Sequence, residues 1–128
     1  FKQKTAYEIR PRDWSSDVWS SDLAVRGFEA YVRSFPKSDR ADDAQVYVCG
    51  AYLNAGKYDK AVEACDAAIR TYPTGDAIPE AYYRKGLALR SLKSLDQARE
   101  AFETVVKSHA DSSAAILANQ QLQEMKKP

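Results

Sequence analysis

From residue 41 onward the apolar positions fall three and four apart. In "ADDAQVYVCGAYLNAG" (41–56) Ala44, Val48, Ala51, Tyr52 and Ala55 share one face of a helix. Gly56 closes it, because glycine enters the left-handed region that ends helices without a steric penalty. "YDKAVEACDAAIRTYP" (58–73) repeats the pattern with Tyr58, Ala61, Val62, Cys65, Ala68, Ile69 and Tyr72, and Pro73, which has no backbone N–H, stops it. "IPEAYYRKGLALRSLK" (78–93) and "LDQAREAFETVVKSH" (95–109) form a second pair of helices. "SSAAILANQQLQEMKK" (112–127) begins a further helix, with Ser112 or Ser113 placed to cap it. Ahead of these, "LAVRGFEAYVRSFP" (23–36) reads as the second helix of a pair whose first helix is missing.

The pairs are copies of one unit. Asp22, Asp59 and Asp96 stand 37 residues apart, as do Ala24, Ala61 and Ala98. The same step links Phe28, Cys65 and Phe102, then Val32, Ile69 and Val106, then Arg33, Arg70 and Lys107. Ala44 maps in the same way to Ala81, and Ala51 to Ala88. Chemical character kept at a fixed step means that one packing environment is rebuilt in each unit. The expectation is an all-α, right-handed helix-turn-helix solenoid of about two and a half repeats over residues 24–128.

Residues 2–23 break this order. They are polar, rich in Ser-Asp pairs, hold both tryptophans and sustain neither a helical nor a strand period. Back-translated, "KQKTAYE" and "DWSSDVWSSDL" match the two constant parts of a widely used sequencing adapter, with an eight-base index between them supplying one base of Ile9, the codons of Arg10 and Pro11 and the first base of Arg12. Trp19 departs from the adapter by one base of a Cys codon. Residues 1–23 are therefore read as a non-native segment with no fold of its own, set aside as a fusion scar would be. A truncation there leaves the apolar face of "AVRGFEAYV" partly uncovered, so residues 24–35 are expected to be the least stable helix.

Composition narrows the function. With 45% hydrophobic and 29% charged residues at net charge +1, the chain can bury one ordinary core beneath a balanced surface. No Lys/Arg run is present to neutralise phosphates, which argues against a nucleic-acid partner. No apolar run approaches a membrane span, which argues against direct insertion in a bilayer. A single histidine, His109, and two cysteines without a CxxC leave a structural zinc short of ligands, and no cofactor is expected. His109 falls where Tyr72 falls in the preceding unit, so packing and capping are expected of it rather than general-base chemistry, and no enzyme is expected. Asp42 and Asp43 fit the positive end of a helix dipole better than a metal site. Cys49 and Cys65 take the positions of Gly86 and Phe102 and are expected to be buried thiols. They lie on adjacent antiparallel helices, so a disulfide is the alternative, subject to register and Cβ direction.

Cys49 or Gly86, Tyr52 or Leu89, Gly56, Tyr58, Ala61, Ala68 and Pro73 follow the order and spacing of a tetratricopeptide (TPR) unit. The three residues beyond the usual unit sit in the turns "PKSDRADDA" and "PTGDAIPEA". With these turns, residues 22–128 resemble the C-terminal TPR domain of the YbgF/CpoB family, the Tol-Pal-associated cell-division coordinators. That resemblance implies a noncatalytic periplasmic module and protein partners of the TolA or peptidoglycan-synthesis kind. It also implies a trimer in the intact protein, formed through an upstream coiled coil. A TPR scaffold of the outer-membrane assembly lipoprotein type shares similar turns and is the alternative, and an accessory segment of a larger protein is a third. In TPR arrays the first helices line the concave face. This gives Asp43, Val46, Gly50, Leu53 and Asn54 from one unit and Glu80, Tyr83, Leu87, Arg90 and Ser91 from the next as candidate contacts, extended by Gln120 and Glu124. Val46 and Gly50 stand where TPR clamps for a terminal carboxylate carry Lys and Asn, so that chaperone-type function is not expected.

Overall fold

The computed structural model describes residues 22–126. Among them are six helices and no strand: α1 (Asp22–Ser34), α2 (Ala41–Asn54), α3 (Tyr58–Thr71), α4 (Ile78–Ser91), α5 (Leu95–Ser108) and α6 (Ser113–Lys126). The reading of residues 1–23 as a non-native segment lies, up to residue 21, outside the described residues.

Each helix packs on the next, and α4 additionally touches α2 and α6, whereas α1, α3 and α5 do not touch one another. The helices thus form two layers, α2–α4–α6 side by side within and α1, α3 and α5 splayed outside. This is the all-helical, TPR-like solenoid that the 37-residue period predicts. No helix among the described residues is long and apolar enough to cross a membrane.

The turns follow from local chemistry. Gly56 has φ +78°, its N–H bonds to Leu53 O, and Lys57 N–H bonds to Tyr52 O, which together satisfy two carbonyls left open at the end of α2. The turn after α4 has the same pair of bonds, Lys93 N–H to Arg90 O and Ser94 N–H to Leu89 O, but Lys93 takes the left-handed φ of 68° without being glycine. At the start of α6 the choice between two serines is resolved: Ser112 Oγ accepts the Ala115 N–H at 3.2 Å.

Three apolar clusters make the core. The first joins α1, α2 and α3 through Phe28, Val48 and the two cysteines, and the second joins α4, α5 and α6 around Phe102, Leu89 and Val105. Between them Val46, Ala68, Ala77, Ile78 and Ala81 form the joint between the two complete repeats. Cys49 and Cys65 are not free thiols. They are joined in a disulfide with the Cα atoms 5.3 Å apart, fully buried between α2 and α3.

One acid also belongs to the joint. Asp42, buried at the start of α2, accepts the Ala77 N–H at 3.1 Å, so it holds the turn leading into α4 as well as lying at its own helix's positive end. Tyr72 spans the outer side of the repeats by donating its hydroxyl to Pro36 O at 2.8 Å, and burial followed by the nearby Asp42 raises its pKa. His109, just past α5, sets its ring 6.2 Å from that of Tyr82, in the packing position expected of it.

A candidate binding groove on the inner helices

The inner layer holds a groove of about 370 Å³ between α4 and α6. From α4 it is lined by Pro79, Glu80, Tyr83, Arg84 and Leu87, which recur every three or four residues and so lie along one stripe of the helix. Ala114 and Leu117 of α6 face them, and Asp76, Ser112 and Ser113 close the end where both helices begin. The floor is built from the core outward: Tyr83 packs its ring 5.9 Å from the buried Phe102, which fixes where the exposed part of the side chain stands.

Charge is concentrated at that same end. Arg84 binds Glu80 at 2.6 Å, one turn away on α4. Asp43 on α2 is half-buried, and its pKa is raised, first by loss of water, then by the Asp42 carboxylate and more weakly by Glu80 and Asp76, with Arg40 opposing. Tyr47, one turn further along α2, is pushed up to about 12 by burial and then by the Asp43 and Glu80 charges. At the other end Arg90 reaches across to α6, donating to Gln121 and, at 3.1 Å, to Glu124.

The candidate contacts therefore separate. Glu80, Tyr83 and Leu87 line one groove, and Asp43 lies within electrostatic reach of its mouth. Arg90 ties α4 to α6, and Gln120 is exposed on α6. Leu53 is half-buried against the first core cluster, and Asn54 is exposed at the far end of α2. Val46 is fully buried in the joint with Ile78 and Ala81, so it lies beneath the inner face rather than on it.

A sequence profile of outer membrane lipoproteins, YfiO, matches residues 2–127. The chain belongs to the YfiO family. No curated protein matches it. Membership of this lipoprotein family supports a TPR-like envelope domain and does not carry the narrower YbgF/CpoB assignment. On this YfiO-family scaffold, Arg84, Asp76, Ser112 and Leu117 are groove residues that the sequence reading passed over. The spacing of Glu80 and Arg84 was a visible signal for one of them, since residues four apart on a helix pair across one turn.

Proposed function

We propose that this chain is a noncatalytic protein-interaction module of the cell envelope, working on the periplasmic side and holding a segment of a partner protein on its inner helices. The observation that carries the reading is the groove between α4 and α6, in which Tyr83, Leu87 and Leu117 offer apolar surface beside the Asp76 and Glu80 carboxylates. Family membership supports the envelope, and the buried Cys49–Cys65 disulfide fits an oxidising compartment.

Two assemblies fit this role. The family match supports an outer-membrane assembly scaffold. The turns "PKSDRADDA" and "PTGDAIPEA" support a Tol-Pal coordinator with TolA-like or peptidoglycan-synthesis partners. The intact gene separates them: a lipobox argues for the first, an upstream coiled coil for the second.

The module reading is tested by placing a photo-crosslinking residue at Leu117 in the groove or at Glu63 on the exposed outside of α3, in cells. Discrete protein adducts from position 117 and none from 63 are expected. Equal adducts from both, or none from 117, would overturn the reading.

A further inference from the structure

The groove has two unlike ends. Its floor is apolar, with Pro79, Tyr83 and Leu87 on α4 opposite Leu117 on α6. Its mouth is acidic, and the acids there are only partly balanced. Glu80 is matched by Arg84. The remaining cations of α4 are engaged elsewhere, Lys85 with Asp66 at 2.7 Å and Arg90 with Glu124. Asp43 and Asp76, in contrast, form no ion pair among the described residues, although Arg40 acts on Asp43 and offsets part of its charge. A volume of about 370 Å³ admits a few side chains and not a folded domain.

We propose that the groove receives an extended segment of a protein partner in which one Lys or Arg adjoins aliphatic side chains, the cation lying at the mouth by Asp43 and Asp76 and the aliphatic groups on Tyr83, Leu87 and Leu117. The proposal rests on the reading of the inner helices as the partner surface and names the chemistry that surface selects. An acidic segment would meet two carboxylates that no ion pair holds, a like-charge juxtaposition that discriminates against wrong partners. The apolar floor alone would accept either.

The test titrates the full chain with fluorescein-labelled peptides of the pattern Gly-Leu-Lys-Leu-Gly and the same with Glu or Gln in place of Lys, read by anisotropy. The Lys peptide is expected to bind at least about tenfold more tightly than the Glu peptide and to weaken with added salt. Asp76→Asn, on an exposed turn, is expected to reduce that preference several-fold while leaving the thermal melt unchanged. Leu117→Ser is expected to weaken the Lys and Gln peptides alike. Equal binding of the Lys and Glu peptides, an unchanged preference in Asp76→Asn, or no binding by any peptide would overturn the inference. If position 117 still yields photo-adducts in that case, the interaction module stands and only its partner chemistry falls. If it yields none, both fall.

Discussion

Gly86 on α4 lies flat against the ring of Phe102 on α5: a Cβ at position 86 would come within 2.5 Å of a ring carbon. Cys49 and Cys65 occupy the same two positions one repeat earlier, 37 residues back in each case, and there the contact is a covalent bond. One point of closest helix approach is thus filled in two ways, by a ring against a bare backbone and by two small side chains joined together. Gly86→Ala gains up to about 1 kcal/mol of helix propensity but forces a fully buried ring to move, an overpacking cost of about 1–3 kcal/mol. The clash wins, since three ring atoms lie within 2.8 Å. A net loss of about 1 kcal/mol is expected in urea unfolding, and an unchanged or raised midpoint would contradict the packing.

The disulfide closes a loop with a sequence separation of 16 across the α2–α3 turn. By the loop-entropy account such a link stabilises by about 3 kcal/mol. Cys49→Ala with Cys65→Ala should lower unfolding free energy by at least that amount, because both residues are also fully buried. Loss confined to a few tenths of a kcal/mol would mean the bond does not form in the folded chain.

Lys93 adopts the left-handed conformation that Gly56 adopts one repeat earlier, with the same two backbone bonds around it. A side chain in that region costs about 1–2 kcal/mol, and glycine loses about 0.5–1 kcal/mol through its freer unfolded chain. Lys93→Gly should therefore raise stability by about 0.5–1 kcal/mol, and Gly56→Ala should lower it. Opposite shifts of the thermal midpoint in the two variants are the check.

Most of this architecture was legible in the sequence because TPR packing is written in spacing. Gly56, Pro73 and the 37-residue step mark where helices stop, and these are local effects that no tertiary contact overrides here. What the sequence did not show depends on contacts between units. Val46 shares its repeat position with Tyr83, yet Val46 is covered by Ile78 and Ala81 of α4, while Tyr83 is large enough to emerge above the small Ala114 and Ala115 beside it. Asp42 reads as a helix-dipole acid, and its bond to Ala77 joins residues 35 apart through a turn whose path spacing cannot give. The pairing of the cysteines depended on register too, here between α2 and α3 within one unit.

Asp42 offers a test of that inter-repeat joint. Asp42→Ala leaves the Ala77 N–H without its acceptor at a buried site, which costs about 1–3 kcal/mol. Asp42→Asn keeps an acceptor oxygen and should lose less. A Cβ at Gly75 would sit 2.5 Å from Asp42 Oδ2, so Gly75→Ala should resemble Asp42→Ala more than Asp42→Asn. Chemical denaturation of the three variants ranks them, and equal effects of Asp42→Ala and Asp42→Asn would remove the hydrogen bond from the account.

Asp43 and Tyr47 give the stability a pH dependence of definite sign. A carboxyl that holds its proton more tightly when folded binds more protons in the native state between its two pKa values. Unfolding free energy must then fall as pH rises from the ordinary 3.8 of Asp43 through its raised native value. Asp43→Asn should accordingly stabilise the chain at neutral pH, with the gain shrinking to nothing as the pH drops below 3.8. Tyr47 acts in the same direction at the alkaline end, where stability declines from pH 10 to about 12 as the unfolded phenol ionises first. Urea midpoints from acid to neutral pH test the first, and an absorbance titration in which one tyrosine ionises near 12 tests the second. A destabilised Asp43→Asn at neutral pH would show that the dipole of α2 outweighs the burial and crowding of that carboxylate.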